Sequence, residues 1–108
     1  MSVKKLFDLA GKTALVTGGS RGLGLQIAEA LGEMGARLVL SARKADELQA
    51  ATSKLIQSGI DAHWIAADAA NPADVARLVT ESRAQLGEID ILGLIERHGP
   101  TVVKGVMK

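Results

Sequence analysis

Short apolar runs alternate along the chain with longer segments in which apolar residues recur every three or four positions. Continuous apolar runs are typical of strands that are buried on both faces, whereas the wider spacing is typical of amphipathic helices. The pattern predicts strands at residues 12–17, 37–42, 62–67 and 89–94, with one helix between each consecutive pair. This β-α-β-α-β-α-β alternation predicts an α/β fold with a parallel sheet and right-handed crossovers.

Each predicted helix has an apolar stripe and a recognisable end. The predicted core-facing residues of the three helices in turn are Leu23, Ile27, Leu31 and Met34; Leu48, Ala51 and Leu55; and Val75, Leu78, Val79, Ser82 and Leu86. Gly35, Gly59 and Gly87 are expected to end the helices, because glycine readily adopts the left-handed conformation found there. Asn71 can cap the third helix, and Pro72 fits its first turn.

Composition narrows the possible functions. The 108 residues suffice for one domain, and 13 basic and 12 acidic residues are interspersed, which argues against a nucleic-acid partner. The chain has no cysteine and its two histidines lie far apart, so we expect no disulfide and no metal site. The lack of cysteine fits a reducing cytosol, and the first residues are too charged for a signal peptide or a spanning helix. We therefore expect a cytoplasmic protein without a membrane partner.

The segment between the first strand and the first helix carries the clearest chemical signal. Residues 17–24 read Thr-Gly-Gly-Ser-Arg-Gly-Leu-Gly, with Gly18, Gly22 and Gly24 where the backbone turns into the helix. Glycine permits a sharp turn and the close approach of a ligand, and the N–H groups at a helix start face an anion. A dinucleotide pyrophosphate is the usual anion of such a strand-turn-helix unit; a glycine-rich turn that binds nothing is the alternative.

This spacing, T-G-x-x-x-G-x-G, resembles that of the short-chain dehydrogenase/reductase family. Further pieces follow in the family's order, and the match covers about residues 6–92: Gly-Lys-Thr-Ala-Leu-Val-Thr-Gly at 11–18, Ser-Ala-Arg at 41–43, Ala-Asp at 67–68 and Ile-Asp-Ile-Leu at 89–92. The resemblance implies a Rossmann-like, doubly wound parallel sheet, shortened to about four strands in the order 3-2-1-4 with three helices. The first two helices should cover one face and the third helix the other. The fourth strand would then be an open edge, so we expect a homo-oligomer or a marginally stable chain.

The end of the second strand bears on the choice of cofactor. An acidic residue about 20 positions after the glycine turn favours NAD, and a nearby arginine favours NADP. Here that position is Ala42, which Arg43 follows, while Arg21 lies in the glycine turn and Ser41 adds a hydroxyl. Two guanidinium groups without a competing carboxylate favour NADP(H), with NAD as a possible cofactor. The alternative is that both arginines are solvated surface charges.

The resemblance also implies how the adenine is bound. Asp68, at the end of the third strand, would accept a hydrogen bond from the adenine amino group; the alternative is a residue that only shapes the turn. Ser20 and Leu23 can offer backbone N–H groups to phosphate, and Ala69 completes the set beside Asp68. The predicted cofactor-binding residues are Gly18, Ser20, Arg21, Gly22, Leu23, Gly24, Ser41, Arg43, Asp68 and Ala69.

The resemblance stops at Gly93. The family's Asn-Asn-Ala-Gly turn does not follow, no asparagine occurs after Asn71, and the chain has no tyrosine. In the family the catalytic serine and the Tyr-x-x-x-Lys motif would lie beyond residue 108, so no catalytic residue is assigned. We expect a dinucleotide-binding half-domain at residues 1–95 and a divergent tail at 96–108. The apolar residues of the tail have helical spacing, but so short a helix is marginal by itself. Two alternatives stay open, that the tail caps the exposed sheet and that it is disordered.

Two functions of different classes remain open at this point. The first is the truncated cofactor-binding portion of an NADP(H)-dependent oxidoreductase for secondary alcohols or ketones, inactive alone because no phenol can supply the proton. The second is a non-catalytic interaction module that pairs with itself or with a full-length relative. A gene fragment without an evolved role is a third possibility, and the sequence does not identify a substrate.

Overall fold

Strands and helices alternate through residues 8–18, 22–96 and 99–104, the part of the chain that the computed structural model describes. The elements in chain order are β1 (Thr13–Thr17), α1 (Gly22–Glu33), β2 (Arg37–Ala42), α2 (Ala45–Gln57), β3 (Ala62–Ala66), α3 (Pro72–Leu86), β4 (Ile91–Glu96) and β5 (Gly99–Lys104). The predicted α/β alternation with three helices is confirmed. The fourth strand begins two residues later than predicted, after Asp90, whose backbone N–H donates to the Thr13 carbonyl oxygen at 2.9 Å.

The strands lie side by side in the order β3-β2-β1-β4-β5. The pairs β1–β2, β2–β3 and β1–β4 are parallel, so β1, β2 and β3 all end at the same edge of the sheet. In this register Thr17 lies beside Ser41, and Ser41 lies beside Ile65. The parallel sheet therefore brings the segments that follow these three strands to one place.

The outer side of β4 differs from the sequence-based expectation. We expected four strands with β4 as an open edge, but β5 pairs with it in antiparallel fashion from Gly99 to Lys104. The helical spacing of the tail is not adopted at residues 99–104, because a short isolated helix is marginal whereas a sheet edge offers unpaired N–H and C=O groups. The argument for oligomerisation through an open β4 edge is lost, and the homo-oligomer stays a prediction.

Helices cover both faces of the sheet. On the face of α1 and α2 the core consists of Ala14, Val16, Ala28, Ala36, Leu38, Leu40, Leu48, Ala51, Leu55, Ile60, Ala62 and Ile91. On the face of α3 it consists of Leu15, Val39, Ile65, Ala67, Leu78 and Ile89. Neighbouring strand residues such as Leu38 and Val39 belong to opposite cores, because successive side chains of a strand point to opposite faces.

The predicted stripe of α1 is wrong at two positions. Leu23 and Met34 are 48% and 36% exposed, while Gly24 and Ala28 are the buried residues of this helix. A Cβ atom added at Gly32 would lie 2.6 Å from Cγ2 of Ile60. Small residues thus let α1 approach the core more closely than a stripe of large apolar residues would allow.

The other two stripes agree better with the prediction. All three predicted residues of α2 are buried, and Leu78 and Ser82 are the buried residues of α3, whereas Val75 is 38% exposed. The Asn71 side chain accepts a hydrogen bond from the backbone N–H of Ala73, and Pro72 is the first residue of α3, as predicted. The predicted helix ends are confirmed too, since Gly35, Gly59 and Gly87 all have positive φ angles.

A polar network lies at the N-terminal ends of the strands, opposite the ends of β1, β2 and β3 described above. The Arg37 guanidinium donates to the Thr13 hydroxyl at 3.1 Å and to the Leu86 carbonyl oxygen at 2.9 Å. The Asp90 carboxylate accepts from the Thr13 backbone N–H at 3.0 Å. These contacts join β1, β2 and the end of α3.

Among the described residues, no helix is both long and apolar enough to cross a bilayer.

Thr52 provides a test of the packing of α2. Its side chain is 4% exposed, and its hydroxyl has no hydrogen-bond partner among the described residues. Valine has nearly the same shape without the unsatisfied hydroxyl, so Thr52→Val should raise the free energy of unfolding by ~1 kcal/mol. Denaturant unfolding measures this change.

The matched control is Thr80→Val on the exposed side of α3, where the hydroxyl donates to the Ala76 carbonyl oxygen. This change should leave the free energy of unfolding within ~0.5 kcal/mol of the original. A Thr52→Val variant that is clearly less stable than the original chain would contradict the packing described for α2.

Candidate functional site

A cavity of about 280 Å³ lies where β1, β2 and β3 end. It is lined by Thr17, Gly18, Ser41, Ala42, Arg43, Lys44, Glu47, Ala67, Asp68 and Ala69. In open α/β sheets, ligands bind in the crevice outside the carboxyl ends of the strands. The cavity has this location, and its lining combines backbone groups with two cationic and two anionic side chains.

The segment after β1 forms one side of the cavity. Gly18 has a φ angle of 73° and donates its N–H to the Ser41 carbonyl oxygen at 2.6 Å, which ties the turn to the end of β2. Gly22 begins α1 with a φ angle of 59°, and Gly24, two residues later, is buried. The predicted residues Ser20 and Arg21 lie outside the described residues.

The segment between β2 and α2 carries the positive charge. Ser41 is buried, whereas Arg43 and Lys44 are exposed, and neither cation forms an ion pair among the described residues. Lys44 is the N-cap of α2 and makes no side-chain capping bond. Two cations next to an uncapped helix start create a region that favours an anion.

Asp68 forms the far side of the cavity. The Ala67 N–H donates to the Ala42 carbonyl oxygen at 3.0 Å, so pairing with β2 continues past the last residue of β3. Oδ1 of Asp68 accepts from the Ala70 backbone N–H at 2.9 Å, which makes this residue part of the turn into α3. Oδ2 has no hydrogen-bond partner among the described residues. Asp68 therefore shapes the turn and still has one acceptor for a ligand.

A second cavity of about 250 Å³ adjoins the first. It is lined by Arg43, Ala66, Ala67, Asp68 and Asp74, three of which also line the first cavity. Asp74 lies in the first turn of α3. Arg43 and Asp68 thus line both cavities.

Five of the ten predicted residues line one cavity. Gly18, Ser41, Arg43, Asp68 and Ala69 line the first cavity. Gly22, Leu23 and Gly24 begin α1 and do not line it. No group of three metal-ligating side chains occurs among residues 8–18, 22–96 and 99–104.

Sequence reasoning missed two charged lining residues, Lys44 and Glu47. Both lie at the start of α2, where the chain enters the helix beside the predicted ribose site. The adjacency of Lys44 to Arg43 is a signal that the sequence contains. Glu47 carries no such signal, because acidic residues are common in any first helical turn. Its place on the cavity becomes visible only when the first turn of α2 is positioned next to the end of β2.

Comparison with known proteins extends these observations. The family model described as short chain dehydrogenase matches residues 12–98. Gluconate 5-dehydrogenase of Gluconobacter oxydans is 40% identical over 103 residues, which cover 93% of this chain and 40% of that protein. The match therefore involves most of this chain but less than half of its relative.

Two solved structures have the same architecture over the matched part. A short-chain type dehydrogenase/reductase from Mycobacterium marinum superposes with a TM-score of 0.80 at 40% identity and covers 85% of this chain and 37% of that one. L-Sorbose reductase from Gluconobacter frateurii, complexed with NADPH and L-sorbose, superposes with a TM-score of 0.77 at 39% identity. The match covers 80% of this chain and 33% of that one. This chain spans about a third of the length of both.

Gly22 tests the geometry of the turn into α1. A Cβ atom at this position would meet no other atom within 4 Å, so only the positive φ angle demands glycine. Because a left-handed backbone costs other residues about 1–2 kcal/mol, Gly22→Ala should lower the free energy of unfolding by ~1 kcal/mol. Denaturant unfolding is again the measurement. Gln26→Ala, on the exposed side of the same helix, is the control and should be nearly neutral; a neutral Gly22→Ala would contradict the turn geometry.

Proposed function

The chain belongs to the short-chain dehydrogenase/reductase family, and we propose that it forms the nucleotide-binding part of an NADP(H)-dependent oxidoreductase. The proposed substrates of the complete enzyme are a secondary alcohol and the corresponding ketone. The observation that carries the proposal is the cavity at the strand ends. Its lining has Ala42 where an NAD-binding site would have a carboxylate. The two cations that follow Ala42 have no ion-pair partners among the described residues.

The proposed pyrophosphate site is the turn from β1 into α1. Gly18 and Gly22 have the positive φ angles of a turn that lets a ligand approach the backbone, and Gly24 is buried behind it. The N–H groups at the start of α1, including that of Leu23, would donate to phosphate oxygens. Ser20 and Arg21 are proposed to take part as well, on the basis of their place in the sequence motif.

The proposed site of the ribose 2′-phosphate is the segment after β2. Ser41 can offer a hydroxyl, and the Arg43 guanidinium can hold phosphate oxygens with two parallel hydrogen bonds. Arg21 is the second proposed phosphate ligand. The proposal is supported by the exposure of Arg43 on the cavity and by the absence of a carboxylate at Ala42. NAD, which lacks this phosphate, should bind more weakly.

The proposed adenine site is the far end of the cavity. Oδ2 of Asp68 would accept a hydrogen bond from the adenine amino group, and Ala69 beside it would contact the ring. This assignment is supported by the position of both residues on the same cavity as Arg43 and by the absence of another partner for Oδ2 among the described residues. When bound, the nicotinamide of such a cofactor supplies or accepts a hydride.

NADP should bind to the purified chain at least ~tenfold more tightly than NAD, because a charge-assisted contact to the 2′-phosphate contributes about 1.5 kcal/mol or more. Arg43→Gln should remove most of this difference, and calorimetric titration with both nucleotides measures it. Arg83→Gln is the matched control, since Arg83 is an exposed arginine that lines neither cavity. If the chain binds neither nucleotide, the proposed function is wrong.

The 108 residues should not reduce a ketone by themselves. They contain no tyrosine, so the chain has no phenol that could pass a proton to the substrate oxygen while hydride is transferred. Spectrophotometric assays of NADPH oxidation with a panel of ketones should give a rate equal to that without protein. Ketone-dependent oxidation by the purified chain would contradict this part of the proposal.

Association with a second copy or a full-length relative, and a cytoplasmic location, also remain proposals. Because β5 covers β4, the outer strands of the described sheet are β3 and β5, and a partner that extends the sheet would pair with one of these. Sedimentation of the purified chain tests self-association. Copurification with a larger relative would favour the interaction module over a cofactor-binding role.

A further inference from the structure

Asp74 contacts the backbone of the residue proposed to bind adenine. It lies in the first turn of α3, and its Oδ2 accepts a hydrogen bond from the Asp68 N–H at 2.9 Å. An aspartate at this position is expected in any case to interact favourably with the helix N-terminus. The bond to Asp68 gives it a second role, because it connects α3 directly to the wall of the cavity.

Arg77, one turn further along α3, holds the other side of the same segment. Its guanidinium donates to the Ala66 carbonyl oxygen at 2.8 Å and pairs with Glu81 at 3.2 Å. The Ala66 carbonyl and the Asp68 N–H belong to the two peptide groups that flank Ala67. Both of these peptide groups are therefore fixed by side chains of α3.

Asp68 itself has little freedom left. Its N–H is held by Asp74, its carbonyl oxygen accepts from the Asn71 N–H at 3.0 Å, and its Oδ1 accepts from the Ala70 N–H at 2.9 Å. Oδ2 is the remaining acceptor, and the residue lines both cavities. A carboxylate fixed in this way presents a single hydrogen-bond acceptor in one orientation.

We propose that Asp74 is a positioning residue that makes the cavity select adenine over hypoxanthine by holding Asp68 in place. The inference rests on the proposed function, in which Oδ2 of Asp68 accepts from the amino group of adenine. Hypoxanthine has a carbonyl oxygen in place of that amino group, so two acceptors would face each other. Two acceptors that face each other without a proton between them reduce the affinity far more than a merely absent contact does.

The ratio of two affinities separates positioning from a general effect on stability. If a substitution at Asp74 lowers the folded fraction, the apparent affinities for both nucleotides fall by the same factor and their ratio is unchanged. Removal of a negative charge near a bound phosphate also changes both affinities alike. A change in how Asp68 meets the base does alter the ratio, because it acts differently on an amino group and on a carbonyl oxygen.

The experiment measures calorimetric dissociation constants of the full chain for NADP and for nicotinamide hypoxanthine dinucleotide phosphate. The original chain should prefer NADP at least ~tenfold. Asp74→Ala should lower this preference to about threefold or less, whereas Asp74→Asn should keep it, because the amide oxygen can still accept from the Asp68 N–H. Arg83→Gln is the control on the same helix and should keep the preference, since Arg83 is exposed and lines neither cavity.

A second variant keeps the test decisive if Asp74→Ala does not fold. Asp74→Glu retains the charge at the start of α3, but its longer side chain moves the carboxylate away from the Asp68 N–H, so the preference for NADP should fall in this variant too. An unchanged preference in Asp74→Ala and Asp74→Glu overturns the inference and leaves the proposed function intact. If the original chain binds neither nucleotide, the proposed function fails and the inference fails with it.

Discussion

Backbone hydrogen bonds that continue the pairing of the parallel strands beyond their ends are the interactions on which the candidate site depends. Gly18 donates to the Ser41 carbonyl oxygen, and Ala67 donates to that of Ala42. These two bonds join the segments that follow β1, β2 and β3 into one wall. A glycine turn, a pair of cations and a fixed carboxylate, all distant in sequence, consequently line a single cavity.

The charges around this cavity differ in how well they are compensated. Asp68 accepts a backbone hydrogen bond at Oδ1, and Asp74 accepts one at Oδ2 and has the Arg77 guanidinium 3.9 Å from Oδ1. Arg43 and Lys44 have no such partners among the described residues. A carboxylate that is already hydrogen-bonded repels an approaching anion less than an isolated one, so the uncompensated charge favours a phosphate group. The lining has equal numbers of cationic and anionic side chains, so their count alone does not favour an anion. The difference in how they are compensated does, and it supports the proposed 2′-phosphate site.

Much of the architecture was predictable because its signals are local. The cap at Asn71, the glycine after each helix and the apolar strand runs all depend on neighbours in sequence, and the α/β fold followed from them. Contacts between distant segments were not predictable in this way. Asp74 looks like an ordinary residue of a first helical turn, and only the folded chain shows its bond to Asp68. The open edge of β4 was predictable, but the helical spacing of the tail gave no sign that residues 99–104 would pair with that edge as a strand.

The error in the predicted stripe of α1 has a consequence for the site. Gly24 and Ala28 are the buried residues of this helix, and at Gly32 even a methyl group would overlap Ile60. Small residues on this side set how closely the helix axis lies to the core, and a larger residue would move the whole helix outward because tightly packed elements shift as units. Since Gly22 begins the same helix, the position of its N-terminal N–H groups relative to Gly18 depends on that spacing. The helix packing and the proposed pyrophosphate site therefore depend on the same constraint, the close approach of α1 to the core.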